Sequence, residues 1–328
     1  MDFTKNSIKL DCEKETARII DFLRKEVHRF KRTGAVIGIS GGIDSTVVAA
    51  LSARAFGPHK VIGVAMPEKE SSSMSNPLAE QLADLLGIEF RVEDITPILE
   101  GAQTYAKRDE AIRDLIPEYT DGWKCKIVLP QNLLEKGGLN VFSVVVDSPD
   151  GRTLSKRLPI KHYLQIVAAS NYKQRTRMMT LYYLAECKNY VVMGTGNRNE
   201  HDQGFFVKYG DGGADLKPIA HLYKSQVFQL GRYLGVPQEI LERTPTTDTY
   251  SSEVSQEEFF YRLDFQTMDS IWYAMEHDVP VEKVAAVLDM TVEQVKNAQN
   301  DILQKHRTTE YLRAVPSELE QNVPVGCY

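Results

Sequence analysis

A glycine-rich turn between a short apolar segment and a helical segment is the feature that most constrains the fold of this chain. Residues 35–39 (Ala-Val-Ile-Gly-Ile) have the continuous apolar character of a strand that is buried on both faces of a parallel sheet. Residues 46–56, rich in Ala, Val and Leu, then predict a helix. A glycine-rich turn at a helix N-terminus presents backbone N–H groups that form a cradle for an anion. The turn therefore predicts an α/β fold with an anion site at the end of this strand.

The alternation of strands and helices continues beyond this turn. Strands are predicted at residues 60–65, 89–92 and 190–193, and helices at residues 13–31, 76–86 and 172–187. Strands that alternate with helices form parallel sheets with right-handed crossovers. We therefore expect a doubly wound parallel sheet with helices on both faces. Its ligand site should lie at the carboxyl ends of the strands, where the strand order reverses.

The turn has the sequence Gly38-Ile39-Ser40-Gly41-Gly42-Ile43-Asp44-Ser45. The hydroxyls of Ser40 and Ser45 add hydrogen-bond donors for a phosphate group. The Asp44 carboxylate would repel phosphate unless a cation intervenes, which suggests Mg²⁺ chelated to the phosphates. The alternative interpretation is a tight turn with an Asp-Ser helix cap. The turn lacks the Gly-Lys-Ser/Thr ending of a Walker loop, and its glycine spacing is not that of a dinucleotide fingerprint.

Two regions interrupt the alternation. Residues 118–165 form an apparent insertion with a β-hairpin, in which residues 140–147 and 152–160 flank a Ser-Pro-Asp-Gly turn. The region from about residue 251 is predicted to be helical. In it, residues 281–288 and 292–305 resemble a helix–turn–helix, although a packed helical hairpin is favoured because the chain is acidic. We expect one domain at 1–250 that carries the insertion, and a helical C-terminal extension at 251–328.

Composition narrows the class of protein. The 328 residues include 39 basic and 45 acidic side chains, and the net charge of −6 argues against a nucleic-acid-binding protein. No apolar run approaches the roughly 18 residues of a membrane span, and the charged N-terminus is unlike a signal peptide. The four cysteines (Cys12, Cys125, Cys187 and Cys327) are isolated, which argues against disulfides, zinc ribbons and iron–sulfur clusters. We expect a cytoplasmic enzyme with no nucleic-acid or membrane partner.

The Ser-Gly-Gly-Ile-Asp-Ser sequence after a strand resembles the pyrophosphate loop of the N-type ATP pyrophosphatases, which cleave ATP between the α and β phosphates. Further motifs narrow this resemblance. They are Asn-Tyr-Lys-Gln-Arg-Thr-Arg-Met at 171–178, Gly-Thr-Gly-Asn-Arg-Asn-Glu at 194–200, the segment 204–219 with Phe-Phe-Val-Lys-Tyr-Gly-Asp-Gly-Gly-Ala-Asp, Leu-Tyr-Lys-Ser-Gln-Val at 222–227, and Thr-Pro-Thr-Thr-Asp at 244–248. In this order they resemble the ammonia-dependent NAD synthetases over about residues 13–95 and 166–248.

The resemblance implies an adenine nucleotide alpha hydrolase-like fold and the amidation of nicotinic acid adenine dinucleotide to NAD. In that reaction the nicotinate carboxylate attacks the α-phosphate of ATP, pyrophosphate leaves, and ammonia displaces AMP. The implied ATP-binding residues are Gly38, Ile39, Ser40, Gly41, Gly42, Ile43, Asp44, Ser45, Met66, Thr195, Lys224 and Thr246. Asp44 and Lys224 are the implied catalytic residues, and Asp44 and Glu200 the implied Mg²⁺ ligands. Arg175, Lys208 and Asp215 are implied to bind the dinucleotide acid, and the family implies a homodimer.

Three features depart from the family pattern. The insertion has no counterpart in the short ammonia-dependent enzymes, residues 255–261 replace an acidic Asp-Glu segment, and Tyr311-Leu312 replaces a His-Lys pair that belongs to the dinucleotide-binding set. Two explanations are open. Either the protein is an amide ligase of the same superfamily with a different carboxylate acceptor, or Lys124, Lys126 or Lys161 replaces the lost cations.

The source of the amide nitrogen follows from the same resemblance. Glutamine-dependent relatives carry a large nitrilase-like domain with a catalytic cysteine, and the residues before the first predicted strand are too few for such a domain. Cys12, Cys125 and Cys187 have no recognisable glutaminase context. We therefore expect free ammonia, or ammonia from a separate glutaminase, as the donor.

Overall fold

The computed structural model describes residues 3–71, 75–128, 142–246, 251–252 and 255–319. Its strands are β1 (Ala35–Gly38), β2 (Val61–Ala65), β3 (Glu89–Val92), β4 (Lys124–Val128), β5 (Ser143–Asp147), β6 (Thr153–Arg157) and β7 (Val191–Met193). Its helices are α1 (Cys12–Arg29), α2 (Ile43–Phe56), α3 (Ser75–Leu86), α4 (Thr96–Gly101), α5 (Thr104–Arg113), α6 (Ile160–Lys188), α7 (Arg198–Gln203), α8 (Lys224–Leu234), α9 (Gln238–Glu242), α10 (Phe265–Glu276), α11 (Val281–Leu288), α12 (Val292–Thr308) and α13 (Glu310–Arg313). A 3₁₀ turn at Pro58–Lys60 and a π-helical turn at Glu257–Tyr261 complete the elements.

Strands β1, β2, β3 and β7 form the predicted parallel sheet, in the order β3-β2-β1-β7. Strand β1 is central, because Ala35 is paired with Val61 on one side and with Val191 on the other. The chain moves outward from β1 to β3 and later returns to the opposite side of β1 with β7. The strand order therefore reverses between β1 and β7, and their carboxyl ends mark the expected ligand site.

Helices cover both faces of this sheet, as the sequence predicts. On one face, Leu23 of α1, Leu51 of α2 and Leu230 of α8 are fully buried in the same apolar cluster. On the other face, Leu99 of α4 and Leu181 of α6 belong to a cluster that includes the strand residues Val36 and Val64. Helix α6 begins at Ile160, well before the predicted start at residue 172. The sheet therefore has the doubly wound, two-faced architecture that the sequence predicts.

The insertion is a three-stranded antiparallel sheet in the order β4-β5-β6, with its own small core. The predicted hairpin is confirmed as β5 and β6, although residues 140 and 141 of its first strand lie outside the described residues. In the turn, Gly151 has a φ of 86° and Arg152 N donates to Ser148 Oγ at 2.9 Å. Strand β4 is not predicted from the sequence. Its side chains Cys125 and Ile127 are buried in the core of the insertion, together with Ile166 of α6.

The C-terminal region packs on the main sheet domain as a layer of helices. Helices α11 and α12 occupy the positions of the predicted hairpin, and Val284 and Val295 on them are fully buried. They share one apolar cluster with α10, whose Trp272 ring lies edge-on to Tyr223 with a centroid distance of 5.9 Å. Because the apolar faces of α11 and α12 are buried within this cluster, the packed helical hairpin is confirmed.

Four further expectations concern the whole chain. Within the described ranges, no helix combines the length and the apolar character needed to cross a bilayer. Cys12, Cys125 and Cys187 are free thiols, whereas Cys327 lies outside the described residues. The domain division at residue 250 and the cytoplasmic location stay predictions.

Candidate active site

The glycine-rich loop connects the end of β1 to the start of α2. Gly41 has a φ of 72°, a conformation that glycine adopts without a steric penalty. The Ser45 hydroxyl donates to Gly42 O at 3.0 Å, and Gly42 N donates to Ser40 Oγ at 3.3 Å. Helix α2 begins at Ile43, directly after the loop. The positive end of its dipole therefore favours an anion at the loop.

Asp44 joins this loop to two distant segments of the chain. Its Oδ1 accepts a hydrogen bond from Asn197 Nδ2 at 2.9 Å, and its Oδ2 forms an ion pair with Lys224 Nζ. Lys224 is buried and is the first residue of α8. Burial alone would lower the pKa of Lys224, but the charges of Asp44 and Glu200 outweigh this effect and raise it. The structure therefore holds a charged lysine beside the loop.

Residues 194–200, which follow β7, form the opposite side of the loop. Asn197 caps α7, because Glu200 N donates to Asn197 Oδ1 and Asn197 N donates to Glu200 Oε2, both at 3.1 Å. Lys224 N donates to Asn199 Oδ1 at 3.1 Å, which fixes the start of α8 beside the same motif. Burial, followed by the charge of Asp44, raises the pKa of Glu200 well above the ordinary carboxyl range. Asp44 and Glu200 therefore repel each other and favour a cation beside them.

Three cavities meet at this edge of the sheet. The loop cavity, of about 140 Å³, is lined by Ser40, Gly42, Asp44, Ser45, Thr195, Gly196 and Glu200, among others. The α6 cavity, of about 510 Å³, is lined by Gly38, Ile39, Ser40, Met66, Thr195, Thr246 and one side of α6, among others. The basic cavity, of about 540 Å³, contains the cations Arg175, Lys208, Lys217 and Arg313. Phe206 lines all three, so the three cavities adjoin one another around its side chain.

Most of the residues expected to bind ATP line the loop cavity or the α6 cavity, and three do not. Gly41 forms the turn, and the Ile43 side chain is buried in the core below the loop. Lys224 is 1% exposed and reaches the site through its ion pair with Asp44. Thr246 is in the α6 cavity, whereas residues 247 and 248 of its motif lie outside the described residues. The binding roles stay predictions.

At the basic cavity, the segment in which Tyr311-Leu312 replaces the expected His-Lys pair contacts Lys208. Lys208 Nζ donates to Tyr311 O at 2.9 Å and to Ala314 O at 2.8 Å, and it lies 4.3 Å from the centre of the Tyr311 ring. Arg175 Nε donates to Lys208 O at 3.2 Å. Backbone carbonyl groups of the C-terminal segment thus hold Lys208 in the wall of this cavity.

The lysines of the insertion are elsewhere. In the described part of the chain, Lys124, Lys126 and Lys161 line none of the three cavities. The structure therefore gives no support to the explanation that the insertion replaces the lost cations. Lys217 and Arg313, which that explanation did not include, are the further cations of the basic cavity.

Asp215 also lies outside the lining of the three cavities. Its Oδ2 accepts a hydrogen bond from Val192 N at 2.8 Å, and its Oδ1 accepts one from the Tyr182 hydroxyl at 3.1 Å. These bonds connect the segment after the Gly-Asp-Gly-Gly turn to β7 and to α6. A role of Asp215 in binding the acid stays a prediction.

Sequence reasoning missed several residues of the site. Phe206 and Lys217 lie inside the motif at 204–219, so their position in that motif is the signal that could have found them. Asn197 and Asn199 belong to the motif at 194–200, where their polar side chains bind Asp44 and the start of α8. Gln256 lines two cavities but stands in a segment that departs from the family pattern, so no motif indicates it.

The fold and the site define a class: α/β proteins that bind a nucleotide through a glycine-rich loop at the switch point of a parallel sheet. Comparison with known proteins makes the assignment particular. The model of the NAD synthase family matches residues 15–118 and 130–316, and the chain belongs to this family. The unmatched residues 119–129 contain strand β4.

Named relatives extend over nearly the whole chain. The NH(3)-dependent NAD(+) synthetase of Mesorhizobium japonicum is 51% identical over 308 residues, which are 94% of this chain and 96% of that protein. The NH(3)-dependent NAD(+) synthetase of Rhizobium meliloti is 46% identical over 314 residues, 96% of this chain and 94% of that protein. The solved structure of the NH3-dependent NAD synthetase from Campylobacter jejuni has the same fold, with a TM-score of 0.62 and 22% identity. That match covers 95% of this chain and 100% of the other.

Proposed function

We propose that this protein uses ATP to join nicotinic acid adenine dinucleotide and ammonia into NAD, through an acyl-adenylate and with release of AMP and pyrophosphate. The observation that carries the proposal is that Phe206 lines the loop cavity and two larger cavities, one beside the glycine-rich loop and one rich in cations. Such a site suits two polyanionic substrates that must react with each other. The names of the relatives support the same reaction.

We assign ATP to the loop cavity and the α6 cavity. The N-terminus of α2 and the hydroxyls of Ser40 and Ser45 suit the phosphate groups, and Met66, Thr195 and Thr246 line the remaining walls. The transition state of phosphoryl transfer spreads negative charge over the phosphate oxygens, so fixed positive charge accelerates the reaction. Lys224 supplies that charge, and the Asp44 carboxylate determines where it lies.

The donor set at the loop fits Mg²⁺ that is carried by ATP. Among the described residues, no group of three or more His, Cys, Asp or Glu side chains is arranged to hold a metal ion alone. Mg²⁺ in nucleotide sites typically has one or two protein carboxylates, with phosphates and water completing its shell. Asp44 and Glu200 line one cavity, and burial, followed by the charge of Asp44, raises the pKa of Glu200. We assign the ion to these two carboxylates, where it neutralises the polyphosphate.

We assign the dinucleotide acid to the basic cavity. Arg175 and Lys208 place positive charge on its wall, and the carbonyl groups of Tyr311 and Ala314 fix the position of the Lys208 ammonium group. Asp215 lies beside this wall, where a carboxylate suits a ribose hydroxyl or ammonium. Phe206 lines both the basic cavity and the loop cavity, so the reacting carboxylate would reach the loop cavity past its ring.

The two chemical steps balance without a covalent enzyme intermediate. A carboxylate oxygen bonds to the α-phosphorus of ATP, the bond from that phosphorus to the bridging oxygen breaks, and pyrophosphate leaves with the electron pair. The ammonia nitrogen then bonds to the acyl carbon, the carbon–oxygen bond to AMP breaks, and the nitrogen loses a proton to solvent. Free ammonia or a separate glutaminase supplies the nitrogen.

We also propose that the protein acts as a homodimer. Ile160, Leu164, Met179 and Tyr183 on α6 are exposed and apolar, and Tyr172 between them is exposed as well. At 100° per residue these side chains fall on one side of the helix. An exposed apolar stripe of this kind is typical of a protein interface.

The proposal is tested with purified protein, ATP, Mg²⁺ and ammonium, with and without nicotinic acid adenine dinucleotide. Chromatography should show NAD, AMP and pyrophosphate in equal amounts, and none of them without the acid. Failure to form NAD, combined with AMP and pyrophosphate release on another carboxylic acid, would instead support the amide ligase with a different acceptor. The altered Tyr311-Leu312 position is the observation that favours this second candidate.

A further inference from the structure

Gln256 lies in the active site without belonging to any of its motifs. It lines both the loop cavity and the α6 cavity. Its side-chain nitrogen Nε2 donates to Glu200 Oε1 at 3.4 Å. Its side-chain oxygen Oε1 is buried and accepts no hydrogen bond from the described residues. A buried acceptor without a donor is costly, so this oxygen indicates a ligand that donates a hydrogen bond.

The inserted sheet holds the segment that carries Gln256. Ser252 N donates to Cys125 O at 3.1 Å, Cys125 N donates to Ser251 Oγ at 2.8 Å, and the Ser252 hydroxyl donates to Asp147 Oδ2 at 2.9 Å. Cys125 is on β4, the strand that the family model does not match, and Asp147 is on β5. The insertion therefore contacts the active-site segment through both backbone and side-chain hydrogen bonds.

A second set of contacts continues from this attachment to the cavity. Thr246 and Ser255 form an antiparallel bridge, and Gln256 N donates to Pro245 O at 2.9 Å. The backbone of Gln256 is thus fixed beside Thr246, which lines the α6 cavity. Gln256 is bonded to Pro245 through its backbone, and it follows by four positions the residue Ser252 that is bonded to the insertion.

Because Gln256 Oε1 can only accept hydrogen bonds, the group that binds it in the loop cavity must be a donor. An amide oxygen only accepts hydrogen bonds, and the oxygens of ionised phosphate and carboxylate groups only accept them too. Ribose hydroxyls and adenine amino groups of the two nucleotides also donate, but we assign phosphates and the reacting carboxylate to the loop cavity, where the remaining donor is ammonia or ammonium. We propose that Gln256 Oε1 binds the ammonia that attacks the acyl-adenylate, and that Ser251, Ser252, Cys125 and Asp147 are positioning residues for it. This inference rests on the proposed function, because it requires an amidation step.

The two half-reactions separate this role from a role in ATP binding. Adenylation is measured as exchange of labelled pyrophosphate into ATP with the acid and Mg²⁺ present and ammonium absent. Amidation is measured as NAD formation against ammonium concentration. In Gln256→Met, which keeps the length of the side chain and removes the amide, we expect KM for ammonium to rise about tenfold. We expect the exchange rate to fall much less than NAD formation at low ammonium, because the contact with the adenylation site that this substitution removes is the 3.4 Å bond to Glu200 Oε1.

Each contrary result identifies a different error. An unchanged KM for ammonium would overturn the inference. A parallel fall of exchange and amidation would also overturn it, because Gln256 would then act in the nucleotide step. An unmodified protein that shows neither exchange nor NAD formation would refute the proposed function itself. Gln165→Met is the matched control, because the amide of Gln165 donates to Lys107 O at 3.1 Å and lines none of the three cavities.

The attachment to the insertion is tested at Asp147, whose two oxygens have different partners. Ser252→Ala removes the bond to Oδ2, whereas Thr153→Val removes a 2.8 Å bond from the Thr153 hydroxyl to Oδ1 within the hairpin. We expect Ser252→Ala to raise KM for ammonium and to leave the melting temperature close to that of Thr153→Val. Equal KM values in the two variants would overturn the positioning role.

Discussion

Asp44 and Lys224 are 180 positions apart in the sequence, and their side chains form an ion pair beside the glycine-rich loop. Asp44 is in the first turn of α2, and Lys224 is the first residue of α8. The pair therefore connects the loop to the second half of the domain at the point where the strand order reverses. Because Lys224 is buried, removal of its partner leaves a charge without compensation, which is costly in a protein interior.

The first prediction concerns the Asp44 carboxylate. In Asp44→Asn the residue keeps its shape but loses the charge that faces Lys224 and the proposed Mg²⁺. We expect pyrophosphate release to fall by about a hundredfold or more, because electrostatic stabilisation at the reacting phosphate is lost. The measurement is pyrophosphate release under saturating ATP, acid and ammonium.

Asp21→Asn is the control for this substitution. Asp21 is an exposed residue of α1 that pairs only with Lys25 on the same helix among the ion pairs of the described residues. Its substitution should leave the rate unchanged. Full activity in Asp44→Asn would contradict the metal and catalytic roles assigned to Asp44, whatever happens to its stability.

The second prediction concerns Lys208 in the basic cavity. Lys208→Met keeps most of the side-chain length and removes the ammonium group that Tyr311 O and Ala314 O accept from. We expect KM for nicotinic acid adenine dinucleotide to rise at least about tenfold, because a charge-assisted bond to the substrate is lost. KM for ATP should change little, since Lys208 lines only the basic cavity of the three.

Tyr311→Phe is the control at this position, because it removes only the hydroxyl group. The substitution keeps the aromatic ring and the carbonyl oxygen that hold Lys208. We therefore expect kinetics close to those of the unmodified protein. An equal rise of both KM values in Lys208→Met would indicate that the lysine acts on the fold of the site and not on the acid.

The third prediction concerns a buried charge cluster between the sheet and α5 and α6. Glu70 forms ion pairs with Arg108 at 2.6 Å and Lys173 at 2.8 Å, and Lys173 also pairs with Glu68 at 3.0 Å. Burial alone would raise the pKa of Glu70, but the bond from Arg108 and the charge of Lys173 outweigh it and lower the pKa to about 2. The ionised form is thus favoured in the folded state.

The sign of the resulting pH dependence follows from this lowered pKa. The stabilisation is complete above the ordinary value of 4.5 and is lost as the pH falls toward 2. Its full size is about 3 kcal/mol at 1.36 kcal/mol per pH unit. In Glu70→Gln we expect a lower free energy of unfolding at pH 7, and a smaller difference from the unmodified protein near pH 3. Urea unfolding at both pH values measures this. A difference that does not shrink in acid would contradict the assignment, and Glu100→Gln on α4 is the exposed control.

The sheet could be predicted from the sequence because its strands are short apolar runs that differ sharply from the helices between them. Strand β4 could not. Its residues Lys-Cys-Lys-Ile-Val alternate as in a half-buried strand, but they are only five, and the strand depends on pairing with β5, which begins fifteen residues after β4 ends. The start of α6 is a second feature that could not be predicted. Residues 152–160 fit an extended pattern, and helix α6 begins at Ile160, where that pattern ends.

Part of the candidate site could also be predicted from the sequence, and part could not. The glycine-rich loop follows β1 and the motif at 194–200 follows β7. Because these two strands are adjacent and parallel, the two segments lie together at their carboxyl ends. The partners of Lys208 could not be predicted, because they are backbone carbonyl groups of the C-terminal segment about a hundred positions away. Gln256 is a similar case, since its backbone bonds to Pro245 and its amide bonds to Glu200, two contacts that no motif indicates.

An oxygen label tests most directly whether the reaction proceeds through an acyl-adenylate. Nicotinic acid adenine dinucleotide labelled with ¹⁸O in its carboxylate is converted with ATP, Mg²⁺ and ammonium, and the AMP and pyrophosphate are examined by mass spectrometry. If the carboxylate attacks the α-phosphate at the Asp44–Glu200 site, each AMP carries one ¹⁸O atom and pyrophosphate carries none. Label in pyrophosphate, or AMP without label, would contradict an acyl-adenylate and with it the reaction assigned to this active site.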